Sequence, residues 1–278
     1  MLSKGLGSLL ALAILPALAQ VPSTPAASPA EGVVALRQHA PRKVYPGRPA
    51  RVIDNVTVSD STNWSGYAVT GSSFTSAKAS WTVPSVNCSK TPNTYAAFWV
   101  GLDGWTSDSV EQTGTDSDCD GSKASYYAWY EFYPNPSYEI TSITVSPGNQ
   151  MSASVTYSGS EFTITITNES TGKSYSKSSK VSGAARSSAE WIAEAPCCTN
   201  RGGILPLADF GTVDFGEDYT GQSGTNYATD SSNSGDISSF GSAVNEAIMV
   251  NGSTGADEAV PSGLSSDGTS FTVTWDSE

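Results

Sequence analysis

Residues 126–133 read YYAWYEFY, and their alternation decides the fold. Successive side chains of an extended strand point to opposite faces. Tyr127, Trp129, Glu131 and Tyr133 therefore share one face, and Tyr126, Ala128, Tyr130 and Phe132 share the other. Aromatic residues on both faces leave neither side to plain solvent. One face packs on a core, and the other lines a groove that could grip an extended ligand. The alternative is a strand buried on both faces, with Glu131 as a hydrogen-bonded structural acid. Residues 187–194 (SSAEWIAE) repeat the pattern, with Glu190, Ile192 and Glu194 opposite Trp191 and Ala193. Residues 95–103 (YAAFWVGLD) set Ala97, Trp99, Gly101 and Asp103 on one face, which extends the same groove.

Outward from these stretches the pattern stays β. Further strands are expected over 66–69, 79–83, 140–145, 151–157, 162–167, 207–215, 247–250 and 271–275. Clusters of Gly, Ser, Asn, Asp and Pro between them read as turns. No stretch has a helical period, no internal repeat is found, and the Ser/Gly-rich residues 220–241 read as a long loop. Many short strands predict an all-β antiparallel sandwich.

The N-terminus reads as an export signal over 1–19. Lys4 precedes an apolar stretch from Leu9 to Leu18, and Ala17-Leu18-Ala19 forms a cleavage site. That apolar run is too short to span a bilayer. Residues 20–54 carry Arg37, Arg42, Lys43, Arg48 and Arg51 against Glu31 and Asp54, a net +3, with the sole histidine, His39. Residues 55–278 hold 25 acidic and 8 basic residues, a net −17. A basic leader on an acidic body predicts a propeptide held partly by charge, an intramolecular inhibitor that acid would loosen as carboxylates protonate. A disordered linker is the plainer alternative. An acidic body excludes nucleic-acid binding, which needs basic patches. Four cysteines, Cys88, Cys119, Cys197 and Cys198, in an exported chain point to disulfides. Cys88 with Cys119 is favoured, which leaves Cys197 and Cys198 as a vicinal pair or as partners elsewhere.

From residue 55 onward there is no histidine. That excludes Ser-His-Asp and Cys-His mechanisms and histidine-ligated metal hydrolysis, and no metal or other cofactor is expected. Carboxylates remain for acid–base work, and they suit acid pH. Residues 110–114 (VEQTG) place Gln112 ahead of a Thr-Gly turn. A glutamine amide can donate to a carbonyl oxygen as charge builds there, and it stays neutral in acid. Two carboxylates facing each other on an aromatic-lined sandwich also describe a glycoside hydrolase built on Glu131 and Glu194. A non-catalytic carbohydrate-binding module stacking sugars on Trp99 and Trp129 is a third reading.

Six blocks make the resemblance specific: Asn63-Trp64-Ser65-Gly66-Tyr67, Trp81-Thr82-Val83-Pro84, Trp99-Val100-Gly101-Leu102-Asp103-Gly104, Gln112-Thr113-Gly114, Trp129-Tyr130-Glu131-Phe132-Tyr133-Pro134 and Ala189-Glu190-Trp191-Ile192-Ala193-Glu194. In this order, from about Asn63 to the C-terminus, the chain resembles the glutamic peptidases, or eqolisins. The resemblance implies a sandwich of two curved antiparallel sheets (a concanavalin-like jelly roll), made as a secreted precursor and active in acid on proteins and peptides. It implies Gln112 and Glu194, rather than Glu190, as the catalytic pair. Trp64, Trp99, Asp103, Asp116, Trp129, Glu131 and Tyr133 would bind substrate. The chain is expected to act as a monomer, without membrane or nucleic acid. One departure is Tyr127, where the family pattern has an Asp; the cysteine positions also differ from it.

Overall fold

The alternation at 126–133 becomes an eleven-residue strand, Lys123–Tyr133. The computed structural model describes residues 33–34, 37–197 and 203–277. The expected export signal and Cys198 lie outside the described residues. On one face of Lys123–Tyr133, Ala128, Tyr130 and Phe132 enter the main core with Phe98, Val100, Ala189, Trp191 and Ala193. On the other, Trp129 joins a second apolar cluster with Trp64, Ala97, Trp99 and Ile192. Each of the larger side chains among them contributes roughly 1.5–3 kcal/mol by leaving water, so both faces are fixed by burial and the register cannot slip by one residue.

The site-bearing sheet runs from edge to edge through Val33–Val34, Tyr138–Thr144, Lys123–Tyr133, Val110–Asp120, Tyr95–Leu102, Ser188–Glu194, Trp64–Thr70, Val244–Val250, Val56–Ser61 and Arg51–Ile53. All neighbours are antiparallel except Val56–Ser61 with Val244–Val250. The second layer orders Lys173–Ser179, Glu161–Asn168, Gln150–Ser158, Ser76–Thr82, Thr212–Phe215, Phe271–Trp275 and Asp257–Pro261. Its last strand pairs with Val244–Val250, where the two layers join. The main core fills the space between them, which makes the antiparallel β-sandwich the sequence predicts. Cys88 and Cys119 form a disulfide, as favoured.

Three expectations change. Gln112 does not precede a turn: Val110–Asp120 is a continuous strand of eleven residues. Its groove side carries Gln112, Gly114, Asp116 and Asp118, so it lacks the apolar alternation that marks a half-buried strand. Gly114 is needed within the strand, because a Cβ there would lie 2.3 Å from the Phe98 carbonyl oxygen. Of residues 207–215 only Thr212–Phe215 is a strand. The expected loop at 220–241 contains a small hairpin, Tyr227–Thr229 with Ser234–Asp236, followed by a 3₁₀ helix over Ile237–Ala243.

Gly66 is the tightest backbone crossing in the site sheet. It sits at φ +138°, and a Cβ would meet the Trp191 carbonyl oxygen at 2.2 Å. Gly66→Ala should therefore destabilise the fold by roughly 2–4 kcal/mol, combining backbone strain and overpacking. A lower denaturant midpoint with an unchanged slope would show it.

Candidate active site

Strand register places the polar residues. On Val110–Asp120, Gln112 lies opposite Glu131 on one side and Gly101 on the other. Gly101 in turn faces Glu190. Glu194 lies opposite Ala97 and Trp64. Glu190, Ile192 and Glu194 thus share the groove face with Gln112, and Gln112, Glu131, Glu190 and Glu194 are all fully buried.

The leader covers this face. Gln38 makes a backbone bridge with Cys197, with N–H···O distances of 2.9 and 2.8 Å. The backbone N–H of His39 donates to Glu131 Oε2 at 2.8 Å. Gln112 Nε2 donates to the His39 carbonyl oxygen at 2.5 Å and to Glu131 Oε2 at 3.2 Å. Trp64 Nε1 donates to the Ala40 carbonyl oxygen at 3.1 Å, and Asn63 Nδ2 reaches the same oxygen at 3.3 Å. The His39 ring stacks on Trp129, with centroids 3.5 Å apart and planes 1° apart. Its Nδ1 lies 3.2 Å from Glu131 Oε2 and its Nε2 lies 3.1 Å from Asp116 Oδ1. Tyr127, the departure noted in the sequence, donates its hydroxyl to Asp116 Oδ2 at 2.7 Å and to Asp118 Oδ2 at 3.2 Å. Trp99 Nε1 donates to Glu194 Oε2 at 2.8 Å, and its ring meets Trp64 edge-on at 4.9 Å. Tyr133 packs on the same apolar cluster.

Further leader cations reinforce the contact. Arg37 approaches Asp118 and Asp120 at 3.8 and 3.6 Å. Arg42 stacks over Trp105 at 3.8 Å. Arg48 pairs with Asp60 and, at 2.8 Å, with Asp257. The strand carrying Trp129 and Glu131 is buried on both faces, and the leader covers its groove side.

Asp103 is the site residue the structure places differently. Its carboxylate accepts from Arg186 N at 2.7 Å, Ser187 N at 2.8 Å, Ser187 Oγ at 3.1 Å and Ser107 Oγ at 3.3 Å. Asp103 ties down the turn before the Glu194 strand instead of extending the groove wall. Its strand ends at Leu102 and its own φ is +71°, so the alternation that groups it with Trp99 stops one residue earlier. Sequence reasoning missed Asn63 and Asp118 as contact residues and His39 as an occupant. The available signal for the last was the isolation of the single histidine in a basic leader.

Burial dominates the electrostatics. It raises Glu194 well above the usual carboxylate range, with the His39 cation pulling the other way and Glu131 adding to the rise. Burial likewise raises Glu190. Glu111 is pushed up to about 9 by burial and by the charge of Asp103. His39 is raised to about 10: burial opposes its charge, but Asp116 and Glu131 outweigh it. A carboxyl raised on folding adds stability below its unfolded pKa, and that stability is lost as pH climbs to the folded value. For Glu111 that window runs from about 4.5 to 9, and the raised Glu190, Glu194 and His39 act in the same sense. The melting temperature should fall by more than about 5 °C from pH 4 to pH 8. Glu111→Gln should flatten that decline.

The Peptidase A4 family pattern matches residues 62–257. Aspergillopepsin-2 of Aspergillus niger is 30% identical over 211 residues, covering 66% of this chain and 74% of its own length. The crystal structure of scytalido-glutamic peptidase with a transition state analog inhibitor superposes with a TM-score of 0.63 at 28% identity, covering 77% of this chain and 98% of that one. An eqolisin, SCP-B, in complex with the tripeptide Ala-Ile-His superposes with a TM-score of 0.60 at 27% identity over the same shares. With the sandwich, the groove and these matches together, the chain belongs to the Peptidase A4 (eqolisin) family and is a glutamic-type endopeptidase.

Proposed function

We propose that the chain is exported as a latent precursor, is freed of residues 20–54 in acid, and then hydrolyses peptide bonds of proteins with Gln112 and Glu194. One observation carries this reading: the amide of Gln112 already holds a peptide carbonyl oxygen, that of His39, at 2.5 Å. Glu194 stands on the same face, anchored by Trp99. Relatives that bind a transition state analog and a tripeptide support peptide as the ligand.

In the reaction, Glu194, ionised once the leader no longer buries it, takes a proton from water, and the resulting hydroxide attacks the scissile carbonyl carbon. The Gln112 amide stabilises the oxyanion that forms. Glu194 then returns its proton to the leaving nitrogen as the C–N bond breaks. This chemistry needs only a group that can both take and give a proton in acid.

The leader acts as an inhibitor because it fills the groove. Arg37 favours the ionised form of Asp118, and His39 favours those of Glu131 and Glu194. By linkage, protonating these carboxylates removes that part of the leader's hold. Burial under the leader acts in the opposite sense, so the balance is read by experiment. The purified full-length chain is brought to acid with a denatured protein, in the presence of pepstatin and a chelator. Leader loss accompanied by rising digestion supports the reading. A chain that keeps its leader and never digests protein, or that cleaves polysaccharide instead, refutes it.

A further inference from the structure

At its leader edge the site-bearing sheet carries a second polar row, on the face turned away from the groove. Strand register sets Arg51 opposite Val58, Val58 opposite Glu246, and Glu246 opposite Tyr67. Tyr67 enters the main core, whereas Ser59, one residue on from Val58, receives Arg42 on the groove side. The row opens into a cavity of about 370 Å³ that Ile53, Val56 and Leu264 also line. That volume falls within the range of small-molecule sites, roughly 300–1,000 Å³.

Both charged groups in this row are short of partners. The Tyr67 hydroxyl has a single proton to give. It lies 2.8 Å from the Ser262 carbonyl oxygen and 3.3 Å from Glu246 Oε2. The shorter contact takes the proton, which leaves the half-buried Glu246 carboxylate without a full donor. The ion pair of Arg51 with Asp60 Oδ1 is stretched to 4.0 Å. Neighbouring strands lie about 4.8 Å apart, so the Cα atoms of Arg51 and Glu246 stand roughly 10 Å from each other across Val58. An anion, a cation and an apolar wall thus face one small space. A fatty acid would pair with Arg51 and leave Glu246 unsatisfied, and an alkylamine would do the reverse. A ligand with an ammonium, a carboxylate and an apolar side chain satisfies all three, and a half-buried group left unpaired is what rejects the others.

We propose that this cavity binds a free amino acid or dipeptide with an apolar side chain, its ammonium on Glu246 and its carboxylate on Arg51. Ile53, Val56, Val58 and Leu264 receive the side chain. Arg51 and Ile53 belong to the leader, and Val58 and Glu246 to the body, so an occupied site bridges the two. The end products of protein digestion are ligands of this kind. The site stands apart from the groove and does not depend on the reading of Gln112 and Glu194.

The test is calorimetric titration of the full chain at neutral pH, with the leader in place. The probes are leucine, Leu-Leu, N-acetyl-Leu-Leu and Leu-Leu amide. Leucine or Leu-Leu should bind saturably with a Kd on the order of 1 mM or tighter, and the tighter of the two identifies the source. Blocking either end should weaken binding at least about 10-fold, the usual cost of losing a hydrogen bond to a charged group. Glu246→Gln should abolish the preference for Leu-Leu over N-acetyl-Leu-Leu, and Arg51→Ala the preference over Leu-Leu amide. A variant that merely loosened the sheet would weaken all four probes alike. No binding of leucine or Leu-Leu up to about 20 mM overturns the site, as does equal affinity for the blocked peptides. Preferences that survive in both variants place the peptide elsewhere, the groove included, and overturn it too. None of these outcomes touches the catalytic reading, which digestion of denatured protein in acid decides separately.

Discussion

Glu194→Gln should lower peptidase activity by about 10³–10⁴-fold, the upper part of what one general acid–base contributes. The substitution keeps the shape of the side chain and keeps an oxygen for Trp99 Nε1, which donates to Glu194 Oε2 at 2.8 Å. What it removes is the capacity to take a proton from water and return it to the leaving nitrogen. An amide does neither at any working pH. Initial rates on a denatured protein in acid read the loss, and near-ultraviolet circular dichroism from the seven tryptophans reports whether the fold is intact. Glu190→Gln is the informative control. Glu190 shares the face, but its charged neighbours are Asp103, Glu111 and Arg42, whereas those of Glu194 are His39, Glu131 and Asp116. Glu194 is therefore the carboxyl beside the threaded peptide. If Glu190→Gln is dead and Glu194→Gln active, the roles are reversed.

The sandwich was legible because many short strand-forming stretches separated by turn residues leave few other architectures. The strands over 126–133 and 187–194 could be read from alternation alone, down to which side carries Trp129 and Glu194. The strand carrying Gln112 could not. A surface that binds a polar backbone is itself lined with Gln112, Asp116 and Asp118, and Gly114 is there for a close crossing of Phe98, so its residues read as a turn. Asp103 illustrates the opposite error, since a period extended one residue past the end of a strand assigns a face that the backbone no longer has. His39 was out of reach for a different reason. Its role comes from a contact over 77 and 92 residues of separation, to Asp116 and Glu131. Charge asymmetry predicts that the leader and body attract, but it cannot say which leader residue enters the groove.

Gln112→Ala should cost two to three orders of magnitude in rate, the size seen when a single oxyanion donor is removed, about 3–4 kcal/mol. The effect should fall on kcat, with KM moving little, because the donor gains most when the carbonyl oxygen becomes an oxyanion. That division separates a catalytic amide from a structural one. A glutamine that only held the strand would, when removed, lower the melting temperature and leave the rate of the folded fraction unchanged. The local geometry gives the amide a defined aim: Glu131 Oε2 accepts one of its protons at 3.2 Å, which fixes the plane and presents the other to the peptide carbonyl. Removing that acceptor by Glu131→Leu should therefore also depress kcat, by less than Gln112→Ala, through loss of that alignment. A Gln112→Ala enzyme with an unchanged kcat and a raised KM would mean that the amide merely binds substrate, and the oxyanion would then need another donor on the same wall.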